Sequence, residues 1–242
     1  MENKISISNL SISFGNNKVI KNFSLKIKNG QKLGIIGGSG SGKSVLIKSM
    51  IGLVDKKSGS ILINNEEITH NVEKNVKKHN IGMTFQNDGL FDSMNILENL
   101  CFPLIQKNIA NKADSKNIAK AIIKKIHLDE NVLNKYPSEL SGGMRKRIAV
   151  ARVIITKPSI IFFDEPTTGL DPITSQSIIN IISDYIKSDD VTSIVVTHSI
   201  RCVKQLSDHV LIIKDGKLLL HTEAQELQNS SDEYVEKFLK YS

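Results

Sequence analysis

Apolar and polar residues alternate near the start of the chain: Ile5, Ile7, Leu10, Ile12 and Phe14, then Phe23, Leu25 and Ile27. A period of two predicts half-buried antiparallel strands over residues 4–28. Asn29-Gly30 is a hairpin-turn signal. The pattern then changes to short continuous apolar runs. Leu33-Gly34-Ile35-Ile36, Ile160-Ile161-Phe162-Phe163 and Val191 to Thr197 predict fully buried strands, the last a parallel one. Ser60–Asn65 predicts a short strand and turn, Ile81–Phe85 a strand ending at Gln86, and Val210–Leu220 a hairpin around Asp215-Gly216. Between these runs the spacing becomes helical. Val45–Ile51 reads as a helix; Ile118, Ala119, Ile122, Ile123 and Ile126 share one helical face, as do Ile178, Ile179, Ile182, Tyr185 and Ile186. A long helix opens at Ser138–Met144, after the break at Tyr136-Pro137. Residues 70–80 read as a surface helix or loop, 90–104 as apolar and partly helical, and 223–241 as a mostly helical end.

One stretch carries chemistry by itself. Gly37-Gly38-Ser39-Gly40-Ser41-Gly42-Lys43-Ser44 fits G-x-x-x-x-G-K-[ST], between a predicted strand and a predicted helix. Glycines let the backbone curl with its N–H groups turned inward on an anion, and the helix start adds free N–H groups and the positive dipole end. Lys43 is placed to reach the β- and γ-phosphates, and Ser44 to ligate Mg²⁺. The competing reading, a flexible Gly/Ser linker, does not explain Gly-Lys-Ser at a strand–helix junction.

Other candidates are weaker one by one. Asp164-Glu165 ends a buried strand, where the mouth of a parallel α/β sheet binds ligands. Asp164 suits Mg²⁺ through water, and Glu165 is placed to polarise attacking water; the alternative is a pair of solvated acids. His198 ends the next predicted strand and could bond a γ-phosphate, although a lone histidine is usually unremarkable. Gln86, at a strand end, is either solvated or a sensor of Mg²⁺ and water. Phe14 is either a core ring or one that stacks on an adenine face. Ser141-Gly142-Gly143 makes a second possible phosphate cradle, or an ordinary helix cap.

Composition narrows the partners. The net charge is +7 and the chain is rich in Ile, Lys and Asn, but the basic residues fall in scattered pairs and in Arg145-Lys146-Arg147. With no block of five like charges, a charge-driven nucleic-acid role is not expected. Cys101 and Cys202 lack metal-ligand spacing and read as free thiols in a reducing compartment. No signal peptide is visible after Met1, and no run approaches the roughly 18 apolar residues of a spanning helix. The expected protein is soluble, or held at a membrane through a partner.

Taken in order, Gly37–Ser44, Gln86, Leu140–Met144, Asp164-Glu165 and His198 resemble the ATP-binding cassette (ABC) family of transport ATPases over nearly the whole chain. The resemblance implies an α/β P-loop NTPase (RecA-like) core with an antiparallel β subdomain and an inserted helical signature subdomain. The core would take about residues 1–87 and 158–222, the helical subdomain about 88–157, and a C-terminal helical end 223–242. It implies that Phe14 stacks on adenine and that Gln86 is the lid glutamine relaying to a membrane partner. Glu165 is the implied general base, His198 the switch histidine and Asp171 the loop aspartate at a dimer interface. By the same resemblance Ser141, Gly142 and Gly143 would bind the γ-phosphate in the opposite protomer of an ATP sandwich formed with a second copy.

A finer resemblance points to the lipid-asymmetry (Mla) branch. Met83–Gln86, Gly89–Ile96, Tyr136–Arg147, Asp171–Thr174, Ala224–Leu227 and Tyr234–Leu239 carry it, and Met144 stands where the broad family has Gln. It implies phospholipid transport between bacterial membranes from the cytoplasmic face of the inner membrane. The partners would be a permease, a small cytoplasmic protein and a periplasmic lipid-binding subunit. An apolar Leu90-Phe91 and Met94 after Gln86 mark Asn87–Leu104 as the expected permease-docking surface. The alternative is the ATPase of a methionine-type amino-acid importer. A soluble ABC ATPase of ribosomes or DNA fits less well, lacking a second cassette or a long coiled coil, and Leu140–Gly143 disfavours a small-molecule kinase.

Overall fold

A computed structural model describes residues 3–230 and 232–241. The chain divides into two compact units: one holds residues up to 81, 159–165 and from 186 on, the other 82–158 and 166–185.

The first unit contains two sheets. One is antiparallel, in the order β2-β1-β4-β5, from β1 (Asn3–Phe14), β2 (Asn17–Lys28), β4 (Ser58–Ile63) and β5 (Glu66–Glu67). Its alternating burial puts Ile5, Ile7, Leu10, Ile12, Ile20, Phe23 and Ile27 in the core, as the period-two pattern requires. Of the other sheet this unit holds the run β10-β9-β3-β8-β7. Here β3 (Lys32–Ile36) lies parallel to both β8 (Thr192–Val196) and β9 (His209–Lys214). β7 (Ile160–Asp164) is parallel to β8, and β10 (Lys217–Glu223) antiparallel to β9. Every residue of β3, β7 and β8 is buried, which is why these strands read as continuous apolar runs.

One expectation is corrected. Asn29-Gly30 is a turn, with Gly30 at φ 75°, but not a hairpin: β2 lies in the antiparallel sheet and β3 in the other. A turn motif encodes a reversal of direction, whereas the next strand's partner depends on which sheet can bury it on both faces. The hairpin of the first sheet forms instead at the two-residue loop Gly15-Asn16, with Phe14 opposite Asn17. The hairpin around Asp215-Gly216 is present, both residues having φ above zero as a two-residue turn requires.

Helices α1 (Lys43–Met50), α2 (Val72–Lys78), α7 (Ile200–Leu206) and α8 (Glu233–Tyr241) complete this unit. A hydrophobic cluster joins Ile36 of β3, Val210 and Ile212 of β9, Val203 of α7, and Ala224, Leu227 and Val235 near the end of the chain. Ala224, Leu227 and Val235 are therefore core material, and Val235 is fully buried.

The second unit begins within β6 (Ile81–Thr84) and is built mainly from α3 (Ile96–Gln106), α4 (Lys112–Lys125), α5 (Gly142–Ile154) and α6 (Pro172–Ile186). Asn95, Asn111 and Ser141 cap three of these by accepting the backbone N–H of Glu98, Asp114 and Met144. Glu98 returns a bond to the Asn95 N–H, closing a capping box. α3 packs on α4 and α5, and Leu100, Leu104, Ala119, Ile123, Ile148 and Ala151 of these helices are fully buried.

Candidate nucleotide-binding site

The ends of three buried parallel strands converge in the first unit. β3 runs into Gly37–Gly42, and Gly42, at φ 102°, is the N-cap of α1. Gly37 must be glycine: a Cβ there would lie 2.3 Å from the Ile213 carbonyl oxygen. Lys43 is buried, and its ammonium donates to the carbonyls of Gly37 (2.8 Å) and Gly38 (3.0 Å). Burial holds its pKa below the ordinary lysine value, and the charges of Glu165 and Asp164 oppose that shift.

Ser44 Oγ donates to Asp164 Oδ1 at 2.8 Å across 120 residues of sequence. Asp164 is 2% exposed, and burial pushes its carboxyl above the usual range, against the bond from Ser44. Glu165 follows in the left-handed region, φ 50°, its N–H tied to the Val196 carbonyl at 2.8 Å. That conformation costs a non-glycine residue about 1 kcal/mol or more, and such outliers cluster at functional sites. The β7–β8 register pairs Asp164 with Val196, so the residues beyond meet as well: His198 Nδ1 lies 3.0 Å from Glu165 Oε2. Phe14, at the end of β1, is 54% exposed, which removes the plain core reading.

These residues fit a nucleoside triphosphate with its metal. Ser41 Oγ is buried with no partner among the described residues, beside backbone that can receive phosphate. A hydroxyl and a carboxylate oxygen in contact at Ser44 and Asp164 are hard donors. Among the described residues no group of three or more His, Cys, Asp or Glu could hold a metal alone. That suits Mg²⁺, which takes one or two carboxylates and fills its octahedron with phosphate and water oxygens.

The remaining candidates lie in the second unit. Gln86 is exposed, and its carbonyl accepts from Lys146 Nζ. Asp88 pairs with Lys146 (3.1 Å) and Arg145 (3.4 Å). A cleft of ≈ 540 Å³ is lined by Gln86, Asp88, Leu90, Arg145, Lys146 and Gly169 among others. Ser141 and Gly142 are exposed at the start of α5, and Ser141 Oγ accepts the Met144 N–H at 3.3 Å. A Cβ on Gly143 would fall 2.4 Å from Thr174 Cγ2, so a larger residue there would displace the Thr174 side chain. Asp171 is exposed and accepts the N–H groups of Ile173 (3.0 Å) and Thr174 (2.9 Å) at the start of α6. The Thr174 side chain first, then these backbone bonds, hold its carboxyl below the usual range.

Sequence reasoning missed the supports of this surface. Arg145 and Lys146 stood out as part of a basic triplet and of the Tyr136–Arg147 segment, not as partners of Asp88. Asn99 carried no signal, yet it is fully buried in α3 and organises the loop before it. Its Oδ1 accepts the Phe91 N–H (2.8 Å), and its Nδ2 reaches the carbonyls of Phe91, Met94 (both 3.0 Å) and Asn95 (3.1 Å). Asn99→Ala strands those groups and is expected to cost about 2–4 kcal/mol. Denaturant unfolding measures this; a loss under about 1 kcal/mol would mean that something else holds the loop.

Fold and cradle together define a P-loop nucleotide hydrolase. Residues 20–168 match the family model described as ABC transporter. The chain is 35% identical to the methionine import ATP-binding protein MetN of Clostridium tetani, over 92% of this chain and 70% of that protein. It is 32% identical to the glutamine transport ATP-binding protein GlnQ of Escherichia coli, over 98% and 99%. Among solved structures it resembles the ATP-binding cassette MJ0796 in a dimeric post-hydrolysis state bound to ADP and Pi, with a TM-score of 0.82 and 30% identity over 91% of this chain and 98% of that one. The chain belongs to the ABC transporter family and is an ATPase coupled to transport, using ATP with Mg²⁺. Among the described residues no helix is long and apolar enough to cross a membrane.

Proposed function

We propose that this ATPase powers import of an amino-acid-type solute through a separate permease. The observation that carries this reading is the likeness to the methionine and glutamine transport ATPases over at least nine-tenths of the chain. It stands ahead of phospholipid transport for that reason. The lipid reading keeps one specific support: Met144 in place of glutamine, together with the Met83–Gln86, Gly89–Ile96 and Tyr136–Arg147 segments, which resemble the Mla branch.

The chemistry is common to both. Lys43 and the backbone N–H groups of Gly40–Ser44 bind the β- and γ-phosphates, and Phe14 stacks on the adenine. Ser44 and Asp164 would hold Mg²⁺, which would offset phosphate charge. The carboxylate of Glu165 accepts a proton from the attacking water. The water oxygen bonds to the γ-phosphorus, the bond to the β–γ bridging oxygen breaks, and ADP leaves. His198 orients Glu165 and bonds the γ-phosphate. Ser141, Gly142 and Gly143 complete the site of a second copy, with Asp171 at the interface between copies. The dimeric MJ0796 structure supports this arrangement. The protein works at the cytoplasmic face of the inner membrane, without nucleic acid.

The permease docks on Asn87–Leu104. Phe91 is 39% exposed, its ring edge-on to Phe102 (5.1 Å) and beneath the Arg152 guanidinium (4.3 Å). An exposed ring held on two sides offers apolar area at little entropic cost. Leu90→Glu and Phe91→Glu are expected to cut permease-stimulated hydrolysis at least tenfold while leaving the basal rate of the isolated ATPase. Unchanged stimulation and transport would exclude this surface.

The deciding experiment is a pull-down of the tagged chain from detergent-solubilised native membranes, with mass spectrometry of proteins and lipids. A permease with a solute-binding protein supports import. A permease with a small cytoplasmic partner, a periplasmic lipid-binding subunit and bound phospholipid would replace that reading with lipid transport.

A further inference from the structure

The first turn of α8 reaches the phosphate loop. Asp232 caps α8 by accepting the N–H groups of Tyr234 (2.9 Å) and Val235 (3.1 Å). Val235 is buried in the cluster that includes Ile36, the residue before the loop, and this seats the first turn of α8 beside Gly37-Gly38. Tyr234 packs on Phe238 with ring centroids 6.3 Å apart, and Lys214 Nζ lies 4.6 Å from its ring centre. The Gly38 N–H donates to the Tyr234 hydroxyl oxygen at 3.1 Å. A Cβ on Gly38 would stand 3.2 Å from that oxygen.

The geometry points to Tyr234 as a positioning residue for ATP binding. The Gly37 carbonyl and the Gly38 N–H belong to one planar peptide unit and point in opposite directions. Lys43 grips the carbonyl side and Tyr234 the N–H side of that plane. The Gly38 carbonyl, one unit on, receives Lys43 Nζ and the Ser41 N–H (3.2 Å). A glycine-rich loop has little intrinsic preference for one shape. Two grips on one peptide plane fix its orientation, and with it the place of the Lys43 ammonium. The hydroxyl thus lowers the entropic cost of ATP binding by holding the loop in shape beforehand. Bound phosphates hold the loop themselves, so the effect falls on affinity more than on turnover.

This inference rests on Gly37–Ser44 being the phosphate site, and the test separates the two. Tyr234→Phe keeps the ring, Phe238 and Lys214 contacts and removes the hydrogen-bond acceptor. In the full chain, ATP titration without magnesium is expected to give a dissociation constant raised about two- to tenfold, with kcat at saturating Mg-ATP changed by a smaller factor. Hydrogen exchange of the Gly38 amide is the second readout: Tyr234→Phe accelerates it if the bond to the hydroxyl exists. An unchanged dissociation constant, or no acceleration of that exchange, overturns the proposal. Lys43→Ala is the control. Lost binding there with none lost in Tyr234→Phe sinks only the tyrosine, whereas binding untouched by Lys43→Ala sinks the phosphate site itself.

Discussion

Glu165→Gln is expected to slow ATP hydrolysis by about 10²–10⁴-fold while ATP binding persists. That corresponds to about 3–5 kcal/mol of barrier. Glutamine has the shape of glutamate and keeps a hydrogen bond with His198, but it cannot take a proton from water at neutral pH. The backbone makes the position hard to substitute from elsewhere. Glu165 sits at φ 50° with its N–H bound to Val196, so the chain turns at that residue as it leaves β7. Asp164 cannot stand in, because it is buried and bonded to Ser44. Phosphate release at saturating Mg-ATP, beside ATP titration, measures both halves. A rate within threefold of the unsubstituted chain would remove Glu165 as the base.

Lys43→Ala is expected to weaken ATP binding about ten- to a hundredfold, the range for losing a charge-assisted hydrogen bond. The pH dependence follows from burial. The Lys43 pKa lies below that of an ordinary lysine, so its ammonium begins to lose its proton at lower pH than exposed lysines do. ATP phosphates favour the charged form. Affinity is therefore full below the lowered pKa and falls as pH rises through it, with proton uptake on binding in that window. Titrations from neutral to alkaline pH should show this decline in the unsubstituted chain and none of it in Lys43→Ala. A decline of equal size in both would place the titrating group elsewhere.

Much of the candidate site was legible because its signals are local. A glycine loop ending in Lys43-Ser44 needs only its flanking strand and helix, and both follow from short apolar runs. Asp164-Glu165 and His198 were legible as the polar ends of buried strands. Their proximity was not: it depends on β7 pairing with β8 in a register that sets Asp164 beside Val196. Asn29-Gly30 shows the converse, a true turn whose following strand joined another sheet.

What the sequence determines here is whatever nearest neighbours encode: the strand and helix periods, the cap at Ser141, the phosphate loop, and through its ordered motifs the membership of the ABC family. Tertiary structure alone decided which distant groups touch. Ser44 meets Asp164, and Tyr234 reaches Gly38 across 196 residues. Periodicity marks the face a residue presents but not the partner that covers it; the partner is set by burying many faces at once in one close-packed core.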